Sequence, residues 1–107
     1  MVWVLNKHGQ KGLPENGVTI AIMDGGIDIH LLDLERNINT ELSYNFVQDN
    51  KNVTAEHFND ERPDTLHVTD HGNRVASVLA AVKGNKLCSA GIAYDATIAG
   101  MYVTLLY

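Results

Sequence analysis

Apolar positions along the chain fall into a few patterned stretches separated by polar segments. Residues 18–23, VTIAIM, form a short run rich in β-branched side chains, the signature of a fully buried strand. The run stops on Asp24, and Gly25 and Gly26 then turn the chain sharply. Residues 42–47 alternate, with Leu42, Tyr44 and Phe46 on one side, which predicts a second, half-exposed strand. Over residues 71–83, Val75, Val78, Leu79 and Val82 recur at helical spacing, while Ala76, Ala80 and Ala81 permit close packing. Asp70 before this helix is a candidate N-cap and Gly84 after it a C-cap, which places His71 at the helix start. Residues 96–103 read as a further apolar strand, and residues 3–7 as a short helix. Residues 48–70, polar and interrupted by Pro63, predict a long surface loop, and residues 85–89 a short one. This order predicts an α/β sandwich with a mainly parallel sheet, divided into a lead-in over residues 1–16 and one domain over 17–107.

Composition narrows the class. A hydrophobic fraction of 45% and a charged fraction of 20% in 107 residues describe one small globular unit. The net charge of −5 and the lack of a basic cluster argue against a nucleic-acid partner. No apolar run approaches the roughly 20 residues a membrane helix needs, and residues 1–8 lack the charge and length pattern of a signal peptide. The one cysteine, Cys88, has no partner within the chain. Asn52-Val53-Thr54 fits the glycosylation acceptor pattern, whereas His8, His30, His57 and His67 show no paired spacing for zinc.

Two residues combine into chemistry. Asp24 at a strand tip and His71 at a helix start both belong at the carboxyl ends of the strands, where open α/β sheets bind ligands. A carboxylate bonded to one imidazole nitrogen fixes the tautomer and leaves the other nitrogen to act as a base. Taken alone, Asp24 also fits an ordinary Asp-Gly turn and His71 a helix-end histidine.

Three blocks in colinear order resolve the ambiguity: AIMDGGID at residues 21–28, HGNRVAS at 71–77 and GNKLCSAGIAYDA at 84–96. Together they resemble the N-terminal half of the catalytic domain of subtilisin-family serine proteases, most nearly the kexin and furin branch of proprotein convertases. The resemblance implies an incomplete subtilisin-like three-layer α/β sandwich, with Asp24 as the triad acid and His71 as the general base. It implies a structural calcium site built from Asp33, Asn85 and the backbone carbonyls of Val82, Leu87 and Ser89, a set of hard oxygen donors suited to that cation. It implies peptide or protein substrates, a secretory or extracellular location, and a later cysteine as partner for Cys88. The family's order of Asp, His, Ser places the nucleophile further along the chain, in a glycine-rich GTS motif. Neither that motif nor the oxyanion asparagine occurs here, and Ser43, Ser77 and Ser89 lack its context. An isolated chain with acid and base but no nucleophile is expected to be inactive. The alternative is a non-enzymatic protein that acts by binding a partner. Gly25, Asn73 and Val75 depart from the branch pattern, which usually carries aspartate, threonine and cysteine there.

Overall fold

The computed structural model describes residues 1–6, 17–54, 63–87 and 89–103. Among the described residues, four strands form one sheet in the order β1-β2-β4-β3, with one helix, α1, packed on one face. Strand β2, Val18–Asp24, and strand β4, Thr97–Tyr102, run parallel at its centre, in register from Thr19 opposite Thr97 to Asp24 opposite Tyr102. Strand β3, Tyr44–Asn45, adds to β4 in parallel. The predicted mainly parallel sheet is therefore present, as are the two apolar strands that frame it. Of the three layers of the sandwich, the sheet and one helical layer lie among the described residues.

Strand β1, Val2–Asn6, replaces the short helix expected at residues 3–7. It runs antiparallel along the open edge of β2, from Val2 opposite Ile22 to Asn6 opposite Val18. Five residues hold too little periodicity to separate helix from strand, and pairing with a free sheet edge decides the outcome. The terminal amine of Met1 donates to the Met23 carbonyl at 2.9 Å, and the Met23 amide donates back to Met1 at 2.8 Å.

Helix α1 spans Pro63–Ala80, eight residues earlier at its start than the pattern predicts. Pro63 marks the first helical position rather than a loop, since proline's fixed φ suits that site and its missing N–H would have no partner there. Asp70 is consequently no cap; its carboxylate pairs with Arg74 one turn along, at 2.7 Å. The buried line of α1 is Gly72, Ala76 and Ala80, and Val78 from the predicted stripe is 63% exposed. Small residues win this face because the helix backbone lies almost on the sheet. A Cβ on Gly72 would sit 2.1 Å from the Gly26 carbonyl oxygen.

The helix ends at Ala80, short of the expected Gly84 cap, because the chain that follows supplies its last carbonyls with donors. The amides of Ile92, Ala93 and Gly91 donate to Val78, Leu79 and Ala81 at 3.1, 2.8 and 2.9 Å. The Asn37 side-chain Nδ2 donates to the Ala80 carbonyl at 2.8 Å. Gly91 is required for this approach, since a Cβ there would meet the Ala80 nitrogen at 2.4 Å. Beneath the helix, Ile20, Ile22 and Ile98 from the sheet join Ile27, Leu34 and Ala96 in the core.

Strand β3 reverses its predicted inside and outside. Ser43 and Asn45 are buried, while Leu42 and Phe46 are 50% and 60% exposed. Hydrogen bonding explains the inversion. The Ser43 hydroxyl accepts from the Gly100 amide at 2.9 Å and donates to the Asn39 carbonyl at 2.7 Å. Asn45 Oδ1 accepts from the amides of Val47 and Gln48, each at 3.0 Å, and its Nδ2 donates to the Asn52 carbonyl at 2.7 Å. These two side chains take the place of ladder partners in a strand of only two residues.

Candidate active site

Asp24 is the last residue of β2 and is 3% exposed. Its backbone carbonyl accepts from the Val103 amide at 2.9 Å, which fixes the strand tip against the end of β4. Its Oδ1 accepts from the Gly25 amide at 2.7 Å, so the carboxylate also holds its own turn. Oδ2 then lies 2.7 Å from Nδ1 of His71. An ionised carboxylate only accepts, so with Asp24 charged this contact requires the imidazole proton on Nδ1 and leaves Nε2 as the acceptor of the neutral ring. The His71 side chain is 61% exposed, and among the described residues Nε2 has no partner. The arrangement can take a proton from a group approaching from solvent.

His71 lies in the middle of α1, not at its start. The pairing with Asp24 depends on which helix face meets the strand tip, a property that survives the shift in the helix boundary. Gly72 and Gly26 touch backbone to backbone beside the pair. The Asp28 amide donates to Asn73 Oδ1 at 2.7 Å, and the Ile27 amide donates to the Val53 carbonyl at 2.8 Å. Asn73 is a contact that the apolar pattern of the sequence could not reveal, because a lone asparagine on a helix reads as solvated.

None of the three serines reaches this pair. Ser43 is committed to Asn39 and Gly100, and the Ser89 hydroxyl donates to Asp33. Ser77 is in α1 six residues after His71, about 9 Å further along the axis at 1.5 Å per residue.

The second predicted cluster also comes together. Asp33 Oδ1 accepts from Asn85 Nδ2 at 2.7 Å, Oδ2 accepts from Ser89, and the Asp33 carbonyl accepts from the Val82 amide at 2.9 Å. Asn85 Oδ1 accepts from the Leu87 amide at 3.1 Å, and Lys86 between them is in the left-handed region at φ 65°. Among the described residues the carbonyls of Val82, Leu87 and Ser89 accept no hydrogen bond. One carboxylate, one amide oxygen and three uncommitted carbonyls make a donor set that fits calcium. No group of three or more His, Cys, Asp or Glu occurs among the described residues. Cys88, His8 and His57 lie outside the described residues. Among the described residues, no helix is long and apolar enough to cross a membrane.

Known proteins resemble this chain in sequence and in fold. The subtilase family pattern matches residues 15–105. Neuroendocrine convertase 2 of Drosophila melanogaster is 38% identical over 95 residues, covering 85% of this chain and 13% of that protein. The human neuroendocrine convertase 2 is 37% identical over 94 residues, with 84% and 13% covered. The crystal structure of a serine protease from Aeromonas sobria, solved in complex with a chaperone, superposes with a TM-score of 0.67 at 28% identity. It covers 83% of this chain and 13% of that one. The chain thus spans about an eighth of the length of the relatives it matches. With a family match over most of its length and the strand-tip aspartate in hydrogen bond with the helix histidine, the chain belongs to the subtilase family, on its kexin- and furin-like side.

Proposed function

We propose that this chain carries the acid and base of a calcium-dependent serine endopeptidase that cleaves peptides or proteins in the secretory pathway. The observation that supports it is the 2.7 Å contact between Asp24 Oδ2 and His71 Nδ1, with Nε2 open to solvent. In this role Asp24 holds the imidazole in the tautomer that accepts a proton at Nε2 and stabilises the imidazolium once formed. His71 takes the proton of a serine hydroxyl as that oxygen attacks the scissile carbonyl, then returns it to the leaving amine. Asp33 and Asn85, with the carbonyls of Val82, Leu87 and Ser89, would hold calcium. The ion would tie the loop after α1 to the segment after β2, a structural and not a chemical contribution. Residues 17–107 form the peptidase portion in this reading, preceded by a lead-in over 1–16.

The test is a chimera in which residues 17–103 replace the matching segment of human neuroendocrine convertase 2. The expected result is hydrolysis of a fluorogenic peptide, reduced about 10⁶-fold in kcat by His71→Ala, the loss subtilisin shows when its base is removed. A folded chimera without turnover would overturn the reading. The 107-residue chain by itself is expected to show no hydrolysis, because Ser43, Ser77 and Ser89 are all placed away from His71.

A further inference from the structure

We propose that Asn73 is a positioning residue for the Asp24–His71 pair, an inference that rests on reading that pair as acid and base. Three consecutive residues of α1 meet the turn after β2. Gly72 lies against the turn itself, close enough that a Cβ would stand 2.1 Å from the Gly26 oxygen and 3.5 Å from the Asp24 Cβ. On one flank His71 bonds Asp24 Oδ2 at 2.7 Å; on the other, Asn73 Oδ1 accepts from the Asp28 amide at 2.7 Å. Among the described residues these two are the side-chain hydrogen bonds that α1 makes to β2 and its turn.

A helix resting on a glycine-to-glycine contact has no side chain interlocked at that point, so rolling about its own axis meets little steric resistance there. A roll in either direction would draw one of the two bonds apart. With successive helical residues set about 100° apart, His71 and Asn73 straddle Gly72 and oppose rolling in both senses. The half-exposed His71 ring cannot supply the second anchor itself, since most of its surface faces solvent. Asn73 also acts on the acid. Its partner Asp28 lies three residues beyond Gly25, whose amide binds Asp24 Oδ1 at 2.7 Å, so the bond to Asn73 holds the far end of the segment that starts at the acid. One amide oxygen thereby fixes both the rotation of the helix that carries the base and the turn that orients the acid.

The test is the long-range proton–nitrogen spectrum of His71 in the histidine-labelled chain, with backbone amides of α1 and β2 reporting the fold. The native chain should show the Nδ1–H tautomer and a slowly exchanging, downfield Nδ1 proton. Asn73→Leu, which keeps the branched shape and removes the acceptor, should lose that resonance and move toward the tautomer mixture of free imidazole. Asn73→Asp, which restores an acceptor, should retain it. Should Asn73→Leu fail to fold, Asn73→Ala is read in the same way. A folded Asn73→Leu or Asn73→Ala chain with the downfield proton intact overturns the proposal, as does Asn73→Asp losing the signal as fully as leucine. Asp24→Asn separates the two levels. If it leaves the resonance unchanged, the acid and base reading falls and this proposal with it; if it removes the resonance while Asn73→Leu keeps it, the positioning role alone falls.

Discussion

At the scale of single residues, polar side chains in this chain act by replacing backbone partners. Asp33 gathers donors from Asn85, Ser89 and Val82, and among the described residues the carbonyls of Val82, Leu87 and Ser89, the other ligands of the proposed calcium site, accept no hydrogen bond. Calcium at about 100 times its dissociation constant should stabilise the folded chain by about 2.7 kcal/mol, a rise in melting temperature of about 10–20 °C for a chain of this size. Asp33→Asn should abolish the increment in a calcium-dependent melt, and an equal rise in the variant would exclude Asp33 as a ligand. Tyr44 offers a pH readout. Its phenol donates to Asp49, and that hydrogen bond, followed by burial and the carboxylate's charge, raises its pKa above the ordinary phenol value. A group raised on folding stabilises the native state below its unfolded pKa and loses that contribution as pH climbs through the folded value. The turn at residues 46–49 should therefore loosen only at alkaline pH, above about 10. Asp49→Asn should lower the Tyr44 midpoint in an ultraviolet titration; an unchanged midpoint would show that the bond does not persist in solution.

At the scale of elements, contact between α1 and the turn after β2 is governed by the absence of side-chain volume. Gly72→Ala places a methyl against a backbone oxygen that cannot swing aside. Such overpacking should cost about 1–3 kcal/mol, read as a lower denaturant midpoint with unchanged slope. A neutral Gly72→Ala would mean that the helix can lift from the turn. The two central strands and the Asp24–His71 pair were legible in the sequence because continuous apolar runs and three colinear motif blocks carry them. The helix start was not legible, since Pro63 marks a loop and a first helical position equally well. Nor was the helix end, whose cap comes from residues 91–93 and Asn37 rather than from the adjacent Gly84. Periodicity pointed to Val78 for the buried face, where close approach selected Gly72, Ala76 and Ala80. At β3, alternation of apolar residues concealed two polar side chains that satisfy backbone groups, Ser43 and Asn45.

At the scale of the whole molecule, the sheet is asymmetric at its two sides. Strand β3 is two residues long and is closed off by a tight turn that returns Asn50 to Asn45. Strand β1 is different. It lies outside the family match over residues 15–105, and it presents Val2, Trp3 and Val4 with Trp3 57% and Val4 65% exposed. Its outer backbone groups form an uncharged, proline-free ladder five residues long, the kind of edge that pairs with another strand. An antiparallel strand of this type is complementary to itself, so the strand whose inner edge completes β2 within one molecule can template a second molecule along its outer edge. Colloidal behaviour should then follow concentration: sedimentation velocity of the intact chain should show a self-associating boundary that Val4→Lys returns to a single slow species. A concentration-independent monomer in the unsubstituted chain would show that the edge is protected. The strand that shields the acid-bearing β2 would thus also set how concentrated this protein can become before its copies begin to share one sheet.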